Sequence, residues 1–125
     1  MKPAHRFALV LVTAPNLKVA RQLAQIILQQ RQAACVNLVP RLESHYWWRG
    51  KLERSAEILL LIKTTKPKLR TLEKLILAQH PYDTPEFVVV PLQSGHQRYL
   101  AWISESVKTP ARVLKPGKRK PSAGS

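Results

Sequence analysis

The chain is short of several things, and each shortage excludes something. It has one cysteine, Cys35, in 125 residues. No internal disulfide can form, and no cysteine-based zinc motif can be assembled. A reducing compartment fits this usage, and a cytoplasmic location is the expectation that follows. The four glycines form no phosphate-cradling loop, and no nucleophile–base pair or paired carboxylates stand out. Nothing in the chain argues for an enzyme, so no catalytic residue is expected. No apolar run is long enough to span a membrane. Phe7 to Val12 follows basic residues and mimics a signal peptide, but it is short for one and lacks a clear small-x-small cleavage site. A buried strand explains it better. Acidic residues are also scarce, at 7 against 21 lysines and arginines, for a formal charge of +14.

What is present is one domain's worth of chain with enough apolar residues, 45%, to bury a real core. The composition shifts near the end. Residues 108–125 hold six basic residues, three prolines and no acid, without apolar periodicity. Residues 1–107 are expected to fold and 108–125 to form a basic disordered tail. Such a tail either solubilises the protein or touches nucleic acid non-specifically.

Phe7 to Val12 is rich in β-formers and apolar on both faces, as a central strand would be. Asn16 is a plausible N-cap for a helix reaching about Gln32, with Ala20, Leu23, Ala24, Ile27 and Leu28 as its buried stripe. Ala33 to Val39 reads as a second strand, ended or bent by Pro40. The chain stays extended through His45 to Trp48, and Arg49-Gly50 is the turn. A third strand starts near Leu52, with "EILLLIK" (Glu57 to Lys63) as its heart. Pro67 suits the first turn of a second helix, which ends at His80-Pro81. Phe87 to Val90 is a short fourth strand, and a last helix runs from about Gln97 to Val107.

This β-α-β-β-α-β order is the split-βαβ, ferredoxin-like pattern of the α+β class, with an extra C-terminal helix. In it the first and third strands are central, and here those two are the all-apolar ones. The proline-bordered second and fourth strands fall at the edges. The two crossover helices cover only one face of such a sheet. The other face would stay exposed in a monomer, and the last helix can cover only part of it. Self-association is the expected solution.

Several stretches in this order also resemble one family. They are "LVLVTAP" (Leu9 to Pro15), "AACVN" (Ala33 to Asn37), "YWWRGKLE" (Tyr46 to Glu53), "EILLLIKTT" (Glu57 to Thr65), "HPYDTPE" (His80 to Glu86) and "YLAWISESV" (Tyr99 to Val107). Together they are similar to the CutA family of divalent-cation-tolerance proteins over residues 7–107. The resemblance implies a homotrimer of ferredoxin-like subunits, gripped through long second and third strands. It also implies a role in tolerance of copper and other divalent metals.

The resemblance places copper at a cysteine before "TAP" and at histidines before "PY". Those positions are Val12, Gln79 and His80 here, so only His80 remains. With Glu86 it would make a weak imidazole–carboxylate site, borderline for copper or zinc. The competing reading is that His80 merely ends its helix and Glu86 caps or pairs locally, since a lone histidine lacks the ligands that metals need. Cys35 reads as a small buried hydrophobe, and His5, His45 and His96 read as exposed.

Two rival functions remain. The fold is shared with RNA-recognition modules, but those need stacking rings in the third strand, and "EILLLIK" has none. No specific nucleic acid is expected, and removing residues 108–125 should abolish any non-specific contact. A trimeric scaffold for other proteins is the second rival, and the family resemblance alone suggests it. The aromatic triplet then takes its place. Alternation sends Tyr46 and Trp48 to one face and Trp47 to the other. With Leu52 they form a hairpin tip expected to be the trimer interface.

Overall fold

A computed structural model describes residues 1–108; apart from Lys108, the expected tail lies outside the described residues. The elements are β1 (Lys2–Pro3), β2 (Phe7–Ala14), α1 (Leu17–Gln29), β3 (Cys35–Trp48), β4 (Lys51–Thr65), α2 (Leu69–Gln79), β5 (Val88–Pro91), β6 (Ser94–Gly95) and α3 (Gln97–Ser106). Four strands form one antiparallel sheet in the order β3-β4-β2-β5. This is the ferredoxin-like order, with β2 and β4 central and β3 and β5 at the edges. A separate pair, β1 with β6, was not anticipated, because two-residue strands carry no periodicity.

Asn16 caps α1 as its residue type suggests, its side-chain oxygen accepting the Val19 N–H at 2.9 Å. The helix stops at Gln29, short of the expected end near Gln32, and Arg31 then takes a left-handed φ of 57°. The main core lies between α1, α2 and one sheet face. Val10, Val12 and Ala14 of β2 stand opposite Ile62, Leu60 and Ile58 of β4. Ala20, Leu23 and Ile27 of α1, with Leu72 and Ile76 of α2, close over them. Leu60, Ile62, Leu72 and Ile76 are fully buried, so truncating any one to alanine should cost roughly 2–5 kcal/mol.

The odd-numbered residues of β4 point to the other face, and α3 covers only one end of it. Leu100 and Ile103 pack there with Ala4, Phe7, Tyr99 and Trp102. Further along, Val39 and Val88 remain 40% and 48% exposed. The uncovered apolar face inferred from the sequence is therefore real in the single chain.

The second strand differs from its expected form. Pro40 does not end the strand, and the bend expected there takes the form of a register shift. One strand runs on to Trp48, and the pairing passes from Val39↔Leu59 to Leu42↔Glu57. One extra residue is thus accommodated on β3, a β-bulge, with Arg41 at φ 64°. The bulge reverses alternation, because opposed residues share a face. Beyond it Ser44, Tyr46 and Trp48 join the open face with Ser55 and Glu57. Arg49 (φ 51°) and Gly50 (φ 77°) make the two-residue turn with both residues left-handed, a geometry that twists with the strands.

Candidate functional site

The hairpin of β3 and β4 projects past the helices, and its rings are open. Tyr46, Trp47, Trp48 and Leu52 are 40%, 70%, 43% and 68% exposed. Trp47 stands opposite Leu52, and Trp48 opposite Lys51. The Tyr46 hydroxyl lies 3.2 Å from Ser55 Oγ, and Arg49 lies over the Trp48 ring at 5.4 Å. The side chains of the anticipated interface are thus together, on two faces as alternation requires.

Beside the hairpin, on its open face, lies a cleft of about 670 Å³. The Tyr46 and Trp48 rings form one side, and the loop after α2 forms the other through Tyr82, Asp83 and Glu86. Glu57, buried at the β4 end of the cleft, accepts a 2.8 Å hydrogen bond from the Tyr82 hydroxyl. Burial first, and then this carboxylate, hold the Tyr82 phenol well above its ordinary range. Partial burial, then the same Glu57 charge, push the Glu86 carboxyl up as well.

His80 anchors this loop. It is buried, and its Nε2 lies 2.7 Å from the Thr13 carbonyl oxygen. A carbonyl can only accept, so Nε2 carries the proton. Nδ1 then accepts the Tyr82 N–H at 3.1 Å, and the two rings lie 4.6 Å apart. His80 therefore ties the end of α2 to β2 and aims Tyr82 at Glu57. Glu86 lines the cleft, but His80 stands behind it. A metal ion could reach His80 only by displacing Thr13 or Tyr82. Among the described residues no three His, Cys, Asp or Glu side chains are placed to hold an ion, and the residues as placed do not fit a resident metal. Glu86 forms no ion pair among the described residues.

Glu57 and Tyr82 are the residues that reading the sequence missed. Glu57 opens an apolar strand, where a charge normally marks the solvated end. Only the bulge and the loop bring Tyr82 over it. Cys35 is half-buried rather than in the core, with Sγ 3.5 Å from Asn37 Oδ1. It begins its strand at the sheet edge, where neither layer encloses it. His5, His45 and His96 are exposed as expected, and His45 sits 2.7 Å from Glu43.

A ferredoxin-like sheet with one helix-covered face, a long aromatic hairpin and a loop latched beside it defines a class of small α+β domains. The CutA1 divalent ion tolerance protein family matches residues 8–106, and the chain belongs to that family. It is 43% identical to the chloroplastic CutA 1 protein of Oryza sativa over 79% of this chain and 56% of that protein. It is 43% identical to the divalent-cation tolerance protein CutA of Thermus thermophilus over 78% of this chain and 94% of that one. The crystal structure of CutA1 from Oryza sativa superposes with a TM-score of 0.80 at 41% identity, covering 83% of this chain and 95% of that one. The periplasmic divalent cation tolerance protein CutA from Archaeoglobus fulgidus gives 0.80 at 34% identity, covering 82% and 99%. The chain spans 56% of the rice relative, 67% of one from Danio rerio and 60% of one from Mus musculus.

Proposed function

We propose that the chain is a homotrimeric, non-catalytic protein serving divalent-cation tolerance in the cytoplasm. The observation that carries the assembly is the uncovered apolar sheet face continuing into exposed rings at Tyr46, Trp47 and Trp48. Among the described residues nothing lies over that surface, and aromatic anchors of this kind gather at the centres of interfaces. The tolerance role is supported by the family to which the chain belongs and by the names of relatives in it. Solution mass tests the assembly: three chains are expected, and a monomer at micromolar concentration contradicts it.

Copper held weakly by His80 and Glu86 is the finer form of the role. It requires the His80 ring to leave Thr13 or Tyr82, which keeps any affinity low. Calorimetric titration of wild type and His80→Ala with Cu²⁺ decides it. Lost heat in the variant supports the site, and equal affinity removes His80 from it.

A further inference from the structure

Two-thirds of the net charge of residues 1–108 lies at one end of the domain. That end is the rim where β2 begins and β4 finishes, since Phe7 pairs with Thr65. Arg6 sits there, with its carbonyl accepting the Lys66 N–H at 2.9 Å. Lys66 and Lys68 lie in the turn after β4, and Arg70 opens α2. Lys2 lies just before them on β1. Arg31 reaches the same rim from the end of α1, donating to the Ser106 carbonyl at 3.1 Å, and Lys108 follows α3. Against these seven cations stands one acid, Glu105, itself 3.1 Å from Lys108. The next acid along α2, Glu73, lies about one turn further from the rim than Arg70. The other nine lysines and arginines of residues 1–108 are set against the other six acids, a net of only +3. The chain then leaves the described structure at Lys108, on this rim, and residues 109–125 add five more cations and no acid.

We infer that this basic rim of the folded domain is a binding surface for the phosphate backbone of double-stranded nucleic acid. Its character selects that partner. The exposed rings, Tyr46, Trp47 and Trp48, are all on the hairpin at the opposite end. A single-strand binder presents rings for stacking bases, and a membrane-surface binder presents apolar side chains to insert. This rim offers dispersed charge, which suits phosphates read without regard to sequence. Charge segregation also leaves the hairpin free for self-association, and a trimer would carry three rims and gain by multivalency. The folded rim would thus make a contact that the sequence alone offered, as one of two readings, only to the tail.

The test is fluorescence anisotropy of a labelled DNA duplex of mixed sequence against the full chain across a salt series. One triple variant, Arg6→Gln with Lys66→Gln and Arg70→Gln, strips the rim at exposed positions. A charge-matched control, Lys18→Gln with Arg21→Gln and Lys74→Gln, strips exposed helix positions elsewhere. Circular dichroism confirms that both are folded, and Arg6→Gln alone serves if the rim triple is not. The rim triple should bind about tenfold or more weakly and lose about two to three from the slope of log K against log salt. The control should stay within about twofold of wild type. Removing 109–125 should weaken binding yet preserve the gap between the triples. Equal losses in the two triples would overturn the proposal, as would no duplex binding by wild type. Capture by anionic vesicles with the duplex ignored would overturn it too.

Discussion

Trp47 and Leu52 stand directly opposite each other near the hairpin tip, and each leaves over two-thirds of its surface in solvent. On the other face Trp48 is also open, at 43%. Little among the described residues of a lone protomer rewards these side chains for being apolar. Truncating them should therefore cost the monomer almost nothing and the assembly a great deal. Trp48→Ala should weaken trimerisation by roughly 1–4 kcal/mol per interface, with Leu52→Ala smaller in the same direction. Dilution series read by light scattering measure this. Metal affinity should change less than assembly does.

His80 is a structural tie between Thr13 and Tyr82. His80→Phe keeps a ring there but leaves a buried carbonyl and the Tyr82 amide without partners. That should cost about 2–4 kcal/mol of stability. Denaturant midpoints compared with wild type check it. An unchanged midpoint would mean that water satisfies both groups and the tie is dispensable.

Tyr82 holds Glu57 through its hydroxyl. Tyr82→Phe removes the one side-chain donor on that buried carboxylate among the described residues and should cost about 1–3 kcal/mol. The raised phenol gives a second readout. Tyr82 should not contribute to the phenolate absorbance that appears near pH 10, about where ordinary tyrosines titrate. The amplitude there should be the same in wild type and Tyr82→Phe.

Glu86 has its carboxyl pushed up by partial burial and by Glu57. The folded state thus holds its proton more tightly than the unfolded chain does. The stability this gives is present below the ordinary glutamate range and is lost as pH rises through the folded value. Glu86→Gln should therefore be more stable than wild type at neutral pH, and the gap should close in acid. Thermal midpoints across that range check the sign, and a gap that widens in acid would contradict it.

Much of this was legible in the sequence because it depends on local pattern. Phe7 to Val12 and Glu57 to Lys63 are apolar at consecutive positions, which marks central strands. Asn16, Pro67 and Pro81 punctuate the helices by their own chemistry. The bulge at Pro40 and Arg41 was not legible, since one extra residue leaves no mark on composition. It decides which face Tyr46 and Trp48 take relative to Val39. The Thr13–His80–Tyr82–Glu57 chain joins residues up to 67 positions apart, a separation at which periodicity says nothing. The basic rim was hidden for the same reason. Arg6, Arg31, Lys66 and Lys108 are scattered along the chain and meet only once the sheet and both layers are formed.

The central claim is that the open face and the hairpin exist to be covered by other copies of the chain. Sedimentation equilibrium of the full chain at micromolar concentration tests it most directly. The prediction is a mass of three 14.2 kDa chains, shifting toward smaller species in Trp48→Ala at the same concentration. A wild-type mass of one chain would contradict the account.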